Sequence, residues 1–506
     1  MTASAEAAPP AYRRLETIFA RIHAVGDAQA MLHWDMATMM PKGGAAARAE
    51  QLAVLATLRH GMLISTECGE LLQGAADSDG LNPWQAANLR EMRRAWLHAT
   101  ALSEDQVERL SRATSVCETA WRGARADDDF AAVLPKLEAV LALVRETAAA
   151  KAERLELGPY DALLDAFEPD GRAAEIDLIF ADLEAFLPDF LQEVLERQAR
   201  RPEVVVPEGP FPVDAQRALA VRLMRMLGFD FDHGRLDVSL HPFCGGTPDD
   251  IRITTRYDEG DFAKALMGVL HETGHALYER GLPPAWRRQP VGEARGMVLH
   301  ESQSLLMEMQ VCRSRAFIAH LAPLLAETFG GNGPVWEADA LYRSYTRVAP
   351  GFIRVDADEV TYPAHVILRY RLERAMIAGD LEARDLPAAW ADGMQRLIGL
   401  TPPSDALGCL QDIHWYDGAW GYFPTYTLGA LAAAQLFEAA RTADPAIAPG
   451  IAVGDFAPLT TWLRREIHGR GSLMSTSALM TAATGRPLAT DSFKRHLQQR
   501  YATKTG

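Results

Sequence analysis

Cysteine is scarce in this chain and badly placed for cross-linking. Five occur in 506 residues, at Cys68, Cys117, Cys244, Cys312 and Cys409, widely spaced and without a CxxC pair. That pattern excludes a cysteine-built zinc knuckle and fits reduced thiols in a cytoplasm. Long apolar runs are missing too. No uncharged stretch can span a bilayer, and the opening MTASAEAAPPAYRRLETIFARIHAVGD lacks the apolar core of a signal peptide. Positive charge is in deficit: 51 Lys and Arg face 67 Asp and Glu, for a formal net charge of −16. So acidic a chain is a poor partner for nucleic acid or an anionic membrane, and any anionic part of a substrate needs a local basic group. There is no internal repeat, and low complexity is confined to the first ten residues. These absences leave a soluble cytoplasmic protein as the expectation.

What is abundant is helical periodicity. The runs YRRLETIFARIHAVGDAQAML, AAVLPKLEAVLALVRETAAAKAERL and RAAEIDLIFADLEAFLPDFLQEVLERQARR place apolar residues three and four apart. Short Pro/Gly/Asp clusters punctuate them, and no long linker divides the chain. The fold expected is mainly α: one large helical domain over 1–506, with an N-terminal helical part at about 1–205 and a catalytic part at about 206–506. The rhythm breaks once. After a helix expected to be capped by Asp214 and stopped by Gly228, GRLDVSLHPFCGGTPDDIRITTRYDEGD alternates apolar and polar residues around the turn material at 245–249. It reads as a small antiparallel sheet next to the following helix. An edge strand there is one means of holding an extended peptide by its main chain, and a purely structural hairpin is the other reading.

That following helix contains HETGH. Asp261 is its expected N-cap, Gly281 its left-handed stop, and Pro283-Pro284 forbid continuation. Residues four apart lie about 40° apart around a helix axis, so His271 and His275 project together toward one ion. Glu272, turned by about 100°, is placed to take a proton from a water at that ion. With 14 histidines in the chain, chance supplies only about 0.03 such motifs. Gly268 and Gly274 each cost the helix about 1 kcal/mol against alanine, which makes sense where something approaches closely. By contrast, His241 and His365 read as ordinary core histidines.

A catalytic zinc takes three protein ligands and leaves a fourth position open. In the next helix, GMVLHESQSLLMEMQVCRSRAF, the apolar stripe Val298, Leu305, Met309, Cys312 includes Glu301. A core-facing carboxylate needs a cation, which makes Glu301 the candidate third ligand. Glu293 and His300 are its rivals.

The sequence here resembles the carboxypeptidase Taq metallocarboxypeptidases, themselves remotely similar to other HExxH peptidases with a glutamate ligand. The likeness runs through HPF (241–243), DIRIT (250–254), HETGH (271–275), HESQ (300–303), IRVDAD (353–358) and GCLQDIHW (408–415), in that family's order. It implies a cleft-bearing helical domain that removes single residues from the C-termini of peptides. Broad preference, except for C-terminal proline, and homodimers are implied with it. It also supports His271, His275 and Glu301 as ligands to one Zn²⁺, with Co²⁺ or another divalent ion as an alternative. Glu272 would be the general base and then the acid. An oxyanion needs donors where its charge develops, and QDIHWYDGAWGYFPTYTLG offers His414, Tyr422 and Tyr426, with the choice between tyrosines open. Pro424 suits the first turn of a helix there. An exopeptidase must also capture a terminal carboxylate. The resemblance points to Arg354, for which an internal ion pair with Asp356, Asp358 or Glu359 is the competing reading, and Arg252 is a weaker anchor. Two other functions stay in view: an oligoendopeptidase with the same zinc chemistry, and a non-catalytic peptide-binding protein with a structural metal.

Overall fold

The structure, a computed structural model, describes residues 8–502, so seven of the ten low-complexity residues lie outside it. The three long periodic runs form the helices Pro10–Thr38, Phe130–Leu155 and Ala173–Ala199. Their apolar stripes face two separate cores. A small one gathers Tyr12, Leu15, Phe19, Cys68, Leu72 and Met92. The large one runs from Cys117 to Tyr501 and already draws Leu137, Val140, Phe180 and Leu183 from helices ahead of residue 205. Among the described residues all five cysteines are free, and no helix is long and apolar enough to cross a membrane.

The sheet has three strands, β1 (Gly234–Val238), β2 (Cys244–Thr247) and β3 (Asp250–Thr255), in the order β1-β3-β2. It is mixed, which corrects the all-antiparallel expectation. β2 and β3 form the antiparallel hairpin, Gly245 opposite Arg252, but β1 pairs with β3 in parallel, Leu236 opposite Ile253. The chain leaves β1 at Ser239, whose hydroxyl ties to His241 O and Thr254 Oγ1, and crosses to the far side of β3. Leu240, expected in the strand, lies in this crossover and is 79% exposed. His241 is exposed as well, whereas His365 is buried as a core histidine should be. Leu236, Ile251 and Ile253 pack on Ala220 and Met224 of helix Val213–Leu227 and on Val269 and Ala276 of the HETGH helix, so the sheet is seated against both.

Helix ends follow the expected chemistry with two exceptions. Asp261 accepts from the N–H groups of Ala263 and Lys264 and caps the HETGH helix, Phe262–Gly281. Gly228 is the left-handed stop of Val213–Leu227, but that helix begins one residue before Asp214, which sits in its first turn without capping it. Gly281 does not adopt the left-handed conformation; the helix runs through it and stops at Leu282 ahead of the prolines. Its lack of a side chain matters for another reason, because a Cβ there would lie 2.5 Å from His468 Nδ1.

The N-terminal helices do more than fill space. They fasten the loop between the HETGH helix and the next one, Gly296–Leu305. Asn88 donates to Gln289 Oε1 and accepts from Val291 N–H. Gln289 reaches back to Glu16 O, and the buried Arg295 donates to Glu91 Oε1 at 2.7 Å and pairs with Asp170.

Candidate metal centre and active site

His271, His275 and Glu301 meet where the HETGH helix packs on Gly296–Leu305. One ligand atom from each lies within 4.8 Å of the others, and His275 Nε2 is 3.7 Å from Glu301 Oε2. The helices come this close because of glycine. A Cβ on Gly274 would sit 2.4 Å from Gln303 O, and one on Gly429, in helix Pro424–Ala443, 2.7 Å from Glu301 Cβ. Gly268, expected to serve the same purpose, faces open space. The two rivals for third ligand fall elsewhere. Glu293 is on the surface, 3.4 Å from His23, and His300 lies behind His275.

The hydrogen bonds around the histidines fix which nitrogen faces the centre. His300 Nε2 meets Glu279 Oε1 at 2.8 Å, and a carboxylate only accepts, so His300 donates there. In the neutral ring its Nδ1 then accepts from His275 Nδ1–H at 2.7 Å, leaving the His275 Nε2 lone pair free. His271 Nδ1 donates to Glu308 Oε2 at 2.9 Å, and Arg313 anchors Glu308 from the other side at 2.5 Å. Glu308 is in place because the chain widens after Leu305 into π-helix over Leu306–Cys312, where Arg313 N–H bonds Glu308 O five residues back. The sequence reading missed this carboxylate and the widening, although Val298, Leu305, Met309 and Cys312 are buried as expected.

Glu272, Glu301 and Glu308 crowd two histidines. Burial pushes the Glu272 carboxyl up to about 7, with His271 opposing and Glu301 assisting. Burial also raises Glu301, against the pull of His271. For His271 burial disfavours the proton, but its bond to Glu308 and the Glu301 charge prevail and lift it to about 9. His275 is held well below its ordinary value by burial, then by His300 and His271. Among the described residues no donor hydrogen-bonds the buried Glu301 carboxylate. A pocket of acids that strengthens its own proton binding fits a divalent cation, and the two Nε2 atoms and Glu301 oxygen are donors zinc accepts.

The second cluster lies beside the first. Arg354 is buried, its Nε and Nη2 both on Asp412 Oδ1 at 3.1 and 2.8 Å, its guanidinium 4.6 Å from the Tyr426 ring centroid. Its partner is therefore Asp412 and not Asp356, Asp358 or Glu359. Glu359 is spoken for by His496 and Arg500, and Asp358 binds the backbone N–H groups of Ala349, Val360 and Thr361. Asp412 also takes Arg369 Nε at 2.6 Å. Burial alone would raise the Asp412 carboxyl, but Arg369 and Arg354 together hold it far below the usual carboxylate range. His414 Nε2 meets Tyr426 Oη at 3.2 Å, and burial followed by Arg354 brings the imidazole down to about 4, so it is neutral. Pro424 opens its helix as expected. Tyr422 packs edge-on against Tyr426 and Phe167, and Tyr362 stands against Tyr426, its hydroxyl raised well above its ordinary value by burial and then by the Glu301 charge.

Arg252 is not at this cluster. It lies on the central strand, bidentate to Asp250 and stacked at 4.3 Å over Trp34. The strand by the site is β2, an edge strand, whose Cys244 thiol is raised by burial and then by Glu272. A cavity of about 300 Å³ opens beside His300, walled by Phe19, Leu63, Phe167 and Met297, between the N-terminal helices and the start of helix Gly296–Leu305.

Two histidines a helical turn apart, a glutamate beside the first and a carboxylate from a second helix define a metal-dependent hydrolase of the HExxH class. A family model described as carboxypeptidase Taq (M32) metallopeptidase matches residues 14–501. Thermostable carboxypeptidase 1 of Thermus thermophilus is 40% identical over 493 residues, 94% of this chain and 95% of its own. Carboxypeptidase 1 of Bacillus subtilis is 33% identical, with 95% and 96% covered. The solved structure of Trypanosoma cruzi metallocarboxypeptidase 1 superposes with a TM-score of 0.96 at 42% identity, covering 97% of this chain and 99% of that one. The chain belongs to the carboxypeptidase Taq (M32) family: it is a metallocarboxypeptidase, a hydrolase of peptide bonds.

Proposed function

We propose that this enzyme is a zinc carboxypeptidase that removes amino acids one at a time from the free C-terminus of peptides, with broad preference. His271, His275 and Glu301 hold the ion, through the two Nε2 atoms and a carboxylate oxygen. Zinc so bound supplies Lewis acidity for the scissile carbonyl and brings the pKa of a water toward neutrality; Co²⁺ is a workable substitute. Glu272 takes the proton from the attacking water and passes it to the departing amine. His414 is positioned by Tyr426, and the Tyr422 and Tyr426 hydroxyls are the donors available where negative charge develops. The peptide backbone lies extended along the edge strand β2.

The observation that carries the exopeptidase reading is the charge count at Asp412. Two buried guanidinium groups, Arg354 and Arg369, share one carboxylate, which leaves a net positive charge next to Glu301. A substrate α-carboxylate balances it, and Arg354 is its partner, oriented by Asp412 and the Tyr426 ring. Arg252, committed to Asp250 and Trp34, is not an anchor. The enzyme works as one unit over 1–506, cytoplasmic and homodimeric, on the strength of its reduced cysteines and its family.

One peptide offered with a free and with an amidated C-terminus tests this. Mass spectrometry should show a ladder of single-residue losses from the free form and none from the amidated form. Equal cutting of both would make the enzyme an oligoendopeptidase and remove Arg354 from carboxylate capture.

A further inference from the structure

Apart from the charge clusters described above, four segments of the chain converge on a cavity of about 630 Å³. Its wall carries Arg197 and Arg201 from the end of helix Ala173–Ala199, Arg315 from the start of Arg315–Phe329, Arg343 from Ala338–Tyr345, and Arg500 from the last described turn. Five guanidinium groups in one concavity are unexpected in a chain of net charge −16. Asp339 is the single acidic residue in that wall.

The pairing leaves positive charge over. Arg315 pairs with Asp339, and Arg197 with Glu193, which lies outside the cavity. Arg500 is 6% exposed and held from behind by the buried Glu359. Among the described residues neither Arg201 nor Arg343 has a side-chain partner. Like charges gathered this way repel one another, a cost that a bound anion removes. Guanidinium forks match the paired oxygens of phosphate and carboxylate groups, and several facing one concavity fit a ligand with several such groups. The volume is that of a small-molecule site, too confined for a duplex or a folded partner. Tyr342, stacked 4.5 Å from the Arg315 guanidinium, adds an aromatic wall.

We infer that this cavity binds a compact multivalent anion, an oligophosphate or a tricarboxylate, at a site separate from the active centre. The floor of the cavity also touches the catalytic apparatus, since Arg500 donates to Met309 O inside the π-helical turn that carries Glu308.

Titration calorimetry on the zinc-loaded full chain, with inorganic triphosphate in one arm and citrate in the other, tests the inference. Saturable one-to-one binding that weakens with added salt is expected in at least one arm, and the tighter arm identifies the anionic group. Arg201→Gln and Arg343→Gln should each weaken it about tenfold, the loss of one charge-assisted contact, with the melting temperature unchanged. Arg109→Gln, on helix Glu104–Asp127, should leave it as it was. Chelation of the zinc by either anion would be indifferent to all three substitutions and is thereby separated. No binding at millimolar concentration, or binding that the double variant retains in full, overturns the site.

Discussion

On the HETGH side of the active centre three carboxylates, Glu272, Glu301 and Glu308, gather around two histidines, and Arg313, bound to Glu308, is the one guanidinium hydrogen-bonded to them among the described residues. On the Arg354 side two guanidinium groups share the single carboxylate of Asp412. Each cluster is buried and out of balance, with opposite sign. One is complete only with a cation, and the other only with an anion. Burial makes both imbalances costly, so each side gains stability from its own guest. Adjacent sites of opposite hunger are what an enzyme needs if a metal is to sit one residue away from a free peptide terminus.

Four substitutions probe that contrast. Glu272→Gln should lower kcat by about 10²- to 10⁴-fold while elemental analysis still finds one metal per chain; undiminished turnover would deprive Glu272 of its proton-transfer role. Asp412→Asn leaves two buried guanidinium groups unbalanced and should destabilise the fold by about 3–5 kcal/mol in urea denaturation. The Asp412 carboxyl is depressed in the folded state, so this margin over the variant is present in full above the ordinary aspartate pKa of about 3.9. It should shrink as the pH falls through the folded-state value, and a margin that grew on acidification would contradict the assignment. Glu308→Gln keeps the shape but weakens the hold on His271, and metal affinity should fall by about 10- to 100-fold in competition with a chromophoric chelator. Gly274→Ala pushes a methyl group into Gln303 O and should cost about 1–3 kcal/mol; a neutral result would mean that the two ligand helices part easily.

The metal side was far more legible in the sequence than the arginine side. Spacing of one helical turn exposes His271 and His275, and the apolar stripe exposes Glu301, because a carboxylate on a buried stripe is an anomaly that periodicity detects. Glu308 stands seven residues beyond Glu301 on that same stripe, so two-turn spacing would have picked it out too. The π-helical turn that positions it leaves no such trace. The arginine side is assembled from separate segments, and no local pattern pairs Arg354 with an aspartate 58 residues away. Its nearest acids in sequence were the natural wrong choice. Asp412 did lie within GCLQDIHW, a stretch noticed for its resemblance in which His414 alone was given a task. The same limit applied to the sheet, where alternation located β1 and β3 but took 245–247, which belong to β2, for turn material, and could not tell that β1 joins β3 in parallel. Gly281 similarly marked a helix end by its sequence position, whereas the fold uses it to admit His468.

The bridge from Glu91 to Arg295 has a practical corollary. Glu301, the proposed third ligand, sits six residues after Arg295, on a segment moored by the first hundred residues of the chain. A shortened version beginning near residue 206 would keep His271, Glu272, His275, Glu301 and Arg354, yet it would set loose the mooring of Glu301. Trimming this enzyme to a smaller catalyst should therefore fail first as a loss of metal retention, ahead of any loss of chemical competence.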